Sequence, residues 1–137
     1  MIKKILIAVL LLASLYSCNN EKDINPVTAM DAGRMFIRAS LDGDFKTAEH
    51  LLLNDTLNQQ LFESYKMVYE RLPAEKKIKY KDASYNVNKY VDLDDSTSII
   101  NYSNSYMNKP MEIKIVRRNK EWRIDFKYIT SGNLPIN

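Results

Sequence analysis

The chain of 137 residues has one Cys and one His. A single Cys excludes an internal disulfide, a CxxC redox pair and any multi-Cys zinc site. A single His excludes His-rich metal sites. Gly (3) and Pro (4) are scarce, which removes collagen-like, linker-like and low-complexity classes. No apolar run reaches the roughly twenty residues that a bilayer-spanning helix needs, and no long run of Lys or Arg is present. What is present suits a packed globular domain: 45% hydrophobic and 27% charged residues, at a length expected of one domain.

The first residues read as an address. Lys3 and Lys4 form a charged start, and Ile5 to Leu15 form a short apolar run. This is the make-up of a secretory signal peptide, removed from the mature protein. Loss of residues 1–17 takes Lys3 and Lys4 and no acid. Of the 20 basic residues 18 then remain against 17 acidic ones, a net of +1. Nucleic-acid binding has no electrostatic footprint in such a chain.

Leu15-Tyr16-Ser17-Cys18 resembles the lipobox of bacterial lipoproteins. Leu15 and Ser17 match its aliphatic and small positions; Tyr16 departs from a small residue, and plain signal-peptidase cleavage is the alternative. The resemblance implies cleavage after Ser17, a diacylglycerol on the Cys18 thiol and an acyl chain such as palmitate on the new amine. Several chains anchor stably where one does not. Asn19 after the Cys, in place of Asp, implies the outer membrane by the same resemblance. Glu21 and Asp23 resemble acidic surface-export tags, so the periplasmic face and the cell surface both stay open. Residues 18–25 then form a lipidated polar tether, and 26–137 a single domain.

Within that domain helices are expected first. Asn25 and Pro26 read as N-cap and first helical residue, followed by apolar residues at helical steps from Val27 to Leu41. Gly43 suits the left-handed end of this helix and Asp44 the cap of the next, whose stripe is Phe45, Ala48, Leu51 and Leu52. After a break at Asn54-Asp55-Thr56, the spacing of Leu57, Leu61, Tyr65, Val68 and Leu72 predicts a third helix ending at Pro73. From Ile78 the period changes to two. Ala83, Tyr85 and Val87 alternate with polar residues, Asp92 to Ser96 reads as a turn, and Thr97 to Met107 suits a strand. Met111, Ile113 and Ile115, then Trp122, Ile124, Phe126 and Tyr128, predict an antiparallel closing hairpin with one apolar face. Helices before an antiparallel sheet make an α+β domain, with the helices on the sheet's apolar face.

Three pieces together resemble the nuclear-transport-factor-2-like and ketosteroid-isomerase-like superfamily of cone-shaped α+β domains. They are Leu41-Asp42-Gly43-Asp44-Phe45 between the first helices, the order of three helices and then strands, and the closing hairpin with Trp122 after its turn. The resemblance implies helices in the concave face of a bent sheet. It extends to small bacterial lipoproteins of unassigned function, and it implies a homodimer through the sheet as one arrangement. The superfamily holds isomerases, dehydratases, ligand carriers and structural domains, so fold alone does not assign activity.

The residues favour a non-catalytic reading. His50 lies off the apolar stripe of its helix. Asp82, Glu112 and Asp125 alternate with apolar neighbours and fall on the outer face, where a carboxylate keeps an ordinary pKa. Asp92, Asp94 and Asp95 crowd one turn without the spaced ligands and Gly of a calcium loop. No carboxylate–His pair, nucleophile motif or phosphate loop is present, and no cofactor or metal is expected. The aromatic residues Phe36, Tyr65, Tyr85, Tyr102 and Trp122 read as the lining of a pocket for a small apolar or sugar-like ligand, or else as the core itself. The expected function is a lipid-anchored accessory or small-ligand-binding domain of the bacterial envelope. The alternatives are an interaction module with a filled cone, and a small acid/base enzyme of isomerase or dehydratase type.

Overall fold

The computed structural model describes residues 23–129. The signal peptide, the cleavage point after Ser17 and Cys18 lie outside the described residues. Among the described residues four helices precede a four-stranded antiparallel sheet.

Helix α1 spans Ala29–Asp42. It starts three residues later than the cap expected at Asn25, because Thr28 and Asp31 form a reciprocal capping box. The Thr28 hydroxyl accepts from the Asp31 N–H and the Asp31 carboxylate accepts from the Thr28 N–H, both at 3.1 Å. Such a box satisfies two of the helix's orphan donors. Gly43 ends α1 with φ +71°, a conformation that costs glycine nothing. A Cβ there would also lie 2.7 Å from the Tyr69 hydroxyl. Asp44 caps α2, Phe45–His50, through the Thr47 N–H.

Helix α3 spans Thr56–Glu70 and is capped by Asp55. The expected stripe is one residue out of phase. Leu57, Leu61 and Val68 are 51%, 38% and 48% exposed, whereas Asn58, Phe62, Tyr65 and Tyr69 are buried. The aromatic rings win because they fill more of the core than leucines would. Helix α4, Ala74–Asp82, occupies residues expected to begin the strands. Of its side chains only Tyr80 is buried, so its period is hidden among lysines. The Arg38 guanidinium donates to the Lys81 and Ala83 carbonyls at its end and holds α4 against α1.

Strands β1 (Tyr85–Asp94), β2 (Thr97–Asn104), β3 (Met111–Arg118) and β4 (Glu121–Ile124) pair in sequence order. Asn119 and Lys120 both have positive φ, 50° and 67°, which matches the tight turn that a twisted hairpin prefers. Strand β4 ends at Ile124. The expected continuation through Phe126 and Tyr128 is instead a 3-10 turn, Phe126–Tyr128. The cause is α3: the Asn58 side-chain oxygen takes the Phe126 N–H at 2.6 Å and draws the Phe126 ring inward. Residues 51–53 then bond the free edge of β4 through Ile124. Covering an edge in this way blocks further strand pairing there.

One face of the sheet carries Ile100, Tyr102, Met111, Ile113, Ile115 and Ile124, all buried, and α1 packs on it. The closest approach is at Gly33, where an added Cβ would overlap the Ile100 Cδ1 atom. Gly33→Ala therefore sets two effects against each other. Helix propensity gains about 1 kcal/mol, and overpacking a filled core costs about 1–3 kcal/mol. A net loss of about 1 kcal/mol is expected in chemical denaturation. Adding Ile100→Val, which deletes the obstructing methyl, should recover part of it. A Gly33→Ala protein more stable than the parent would contradict this packing.

Candidate functional site

The same sheet face outruns the start of α1 and is left open there. The result is a cleft of about 580 Å³, within the range of small-molecule sites. Val27, Thr28 and Ala29 form one rim, Tyr90, Asp92, Asp94 and Asp95 a second, and Arg117 with Trp122 a third.

Two irregularities in β1 build the acidic side. Tyr85 and Val87 pair with Asn104 and Tyr102, facing the core. The register then shifts between Val87 and Lys89, so that Tyr90 meets Ile100 and Asp92 meets Ser98. Without the extra residue, continued alternation would aim Lys89 and Val91 inward. The bulge instead aims Tyr90 and Asp92 into the cleft, the kind of re-aiming bulges provide. A second shift follows between Asp92 and Asp94. The expected turn at 92–96 is thus shorter, since β1 runs to Asp94.

Asp92 is held by its neighbours. Its Oδ1 accepts from the Ser98 hydroxyl at 2.6 Å and from the Tyr90 hydroxyl at 2.5 Å. These donors, Ser98 first and then Tyr90, hold the Asp92 carboxyl below its ordinary pKa, because they favour the charged form. The Tyr90 phenol moves the other way, raised by desolvation first and then by its bond to Asp92. Asp94 accepts from the Ser96 N–H and hydroxyl at 2.8 and 2.9 Å, which lowers its pKa too. This side of the cleft stays anionic across ordinary pH.

The opposite side is cationic and aromatic. Arg117 and Trp122 are cross-strand neighbours on β3 and β4. The Arg117 guanidinium lies 5.6 Å from the Trp122 ring centroid, within cation–π reach.

Of the five aromatic residues expected to line a pocket, Trp122 borders this cleft. Phe36, Tyr65 and Tyr102 are packed in the core, and Tyr85 is half-buried against it. Burial pushes the Tyr65 and Tyr102 phenols up, so both remain neutral. His50 and Asp82 are exposed, and Glu112 accepts from Asn101 and Tyr128. Among the described residues no three His, Cys, Asp or Glu side chains converge as metal ligands. Sequence reasoning missed Tyr90, Ser98 and Arg117. The bulge hid the first, and the others sat in strands whose alternation read only as core and surface.

Comparison with protein-family models, curated proteins and solved structures returned no match.

Proposed function

We propose that this chain is a lipid-anchored, non-catalytic domain of the bacterial envelope that binds a small polar ligand in the cleft. The observation that carries the reading is the cleft's lining: Asp92, Asp94 and Arg117, charges of both signs that are each held by a neighbour, around an open volume. Pre-positioned groups of this kind lower the cost of ordering on binding. The reading leaves out proton transfer in line with Asp92, whose hydroxyl partners hold its carboxyl below the ordinary range, whereas a general base works best with a pKa near the operating pH. The order of helices and strands is compatible with a nuclear-transport-factor-2-like cone, and Cys18 with its preceding residues supports the anchor. The first described residues of the cleft, Val27 to Ala29, follow Cys18 by about ten residues, a span of at most ~35 Å of extended chain.

A second reading rests on α3. Leu57, Leu61 and Val68 form an exposed apolar stripe, which suits an interaction module.

Two measurements test the leading reading. Cys18→Ala should move the protein from the membrane to the soluble fraction; unchanged retention would refute the anchor. A small-molecule extract of the source cells should raise the thermal midpoint of the full-length protein. A hundredfold excess over Kd is worth about 2.7 kcal/mol, or roughly 10 °C for a domain of this size. Arg117→Ala should abolish the rise. An unmoved midpoint in the parent would count against the cleft as a ligand site.

A further inference from the structure

We propose that the Met107 thioether is an oxidation site that a peroxide attacks from one face only, and that its sulfoxide loosens helix α4. The site lies just past Asn104, at the end of β2 away from Ser98 and the cleft. It is independent of the ligand reading.

The turn after β2 holds Met107 in one pose. Asn104 is buried, and its side-chain oxygen accepts from the Tyr106 and Met107 N–H groups at 3.1 and 2.8 Å. The Asn108 N–H returns to the Asn104 carbonyl at 2.9 Å, with Asn108 at φ +52°. Met107 is half-buried against the core, which leaves it within reach of a small oxidant. The Tyr80 hydroxyl lies against its sulfur and donates to it at 3.4 Å. The Tyr80 ring is itself fixed, 4.8 Å from Tyr106 and 6.4 Å from Tyr69 between centroids.

A thioether sulfur is a weak acceptor, with electron density on both faces of its C–S–C plane. The Tyr80 hydroxyl covers one face, so hydrogen peroxide meets the other. The sulfur lone pair attacks one peroxide oxygen as the O–O bond breaks. An S–O bond forms, and the second oxygen leaves as water with both protons. Sulfur is oxidised by two electrons and the peroxide is reduced by two. In a chiral protein the two faces are not equivalent, so attack on one gives a single sulfoxide epimer. The sulfur now carries partial positive charge and accepts poorly from Tyr80. The new oxygen also makes an apolar side chain polar. Tyr80 is the one side chain that α4 buries, so the grip on that helix weakens.

The test treats the full-length protein in detergent micelles with hydrogen peroxide. Aliquots then receive one of the two stereospecific methionine sulfoxide reductases, one for each epimer, with dithiothreitol as reductant. Peptide mass spectrometry reads the added oxygen at Met107 and at Met67, which is 49% exposed and meets no hydrogen-bond donor among the described residues. At Met67 each enzyme should clear about half. At Met107 one enzyme should clear about five times as much as the other, the bias expected from covering a face with an ordinary hydrogen bond. Tyr80→Phe keeps the ring, removes the cover and should bring the two enzymes level. Amide exchange across residues 74–82 should quicken in the oxidised parent and slow again after repair. It should not change in peroxide-treated Met107→Leu. Equal epimers at Met107 in the parent, or a bias that survives Tyr80→Phe, overturn the one-face site. Exchange that ignores oxidation, or that quickens as much in Met107→Leu, overturns the loosening of α4.

Discussion

Phe62→Ala lowers the thermal midpoint by about 15–20 °C. Phe62 is fully buried, and its ring lies against four others: Phe126 at 5.3 Å, Tyr65 at 5.7 Å, Phe45 at 6.0 Å and Phe36 at 6.3 Å between centroids. Those rings come from α1, α2, α3 and the closing 3-10 turn, so this one side chain joins the helices to the end of the chain. Truncating a buried Phe to Ala costs about 3–5 kcal/mol, the lost transfer energy plus the cavity. For a domain of this size each kcal/mol moves the midpoint by about 4 °C. Phe62→Leu, which keeps most of the volume, should cost less than half as much. The check is calorimetry on both variants; a near-neutral Phe62→Ala would mean that the aromatic cluster is not the core.

Asn58→Ala should cost about 2–3 kcal/mol, although the side chain removed is small. Asn58 is fully buried. Its oxygen accepts from the Phe126 N–H at 2.6 Å, and its amide donates to Asp55 at 2.7 Å. Alanine would strand the Phe126 N–H away from water, at a penalty of about 1–3 kcal/mol, and would loosen the Asp55 cap. Asn58→Asp sharpens the test. It keeps the acceptor but places a second carboxylate beside Asp55, which the Lys127 ammonium and the Asn58 N–H already hold down to a pKa of about 2. The introduced carboxyl, buried and facing like charge, would titrate above its unfolded value. Its charged form would oppose folding, so the variant should lose stability as pH rises from about 4 to 7. Urea midpoints across that range would show it, and a flat profile would contradict the burial of this hub.

The parts of the fold legible in the sequence are those set by rules a few residues long. Gly43 and Asp44 mark the α1–α2 junction because a left-handed end and an N-cap are local needs. The α+β order, the break at Asn54-Asp55-Thr56 and the closing hairpin follow for the same reason. What was illegible depends on distant partners. Leu57, Leu61 and Val68 outrank Asn58 in hydrophobicity, yet Asn58 is inside because Phe126, 68 residues away, needs its oxygen. Helix α4 shows one buried side chain and no stripe. The cleft is harder still. Its acidic wall depends on an extra residue at Asn88 that reverses which side chains face inward, and its basic wall on the β3–β4 register that stacks Arg117 on Trp122. No local pattern states either, so Trp122 alone was read as pocket lining, while Asp92, Asp94 and Asp95 were read only as a crowded turn.

Native mass spectrometry of the full-length protein in detergent micelles, after exposure to a small-molecule extract of its source cells, tests the central claim most directly. Parent and Arg117→Ala proteins would be run side by side. The account predicts a reproducible adduct on the parent, of a mass that the 580 Å³ cleft can hold, and its loss in the variant. A bare parent, or an adduct that survives Arg117→Ala unchanged, would contradict it.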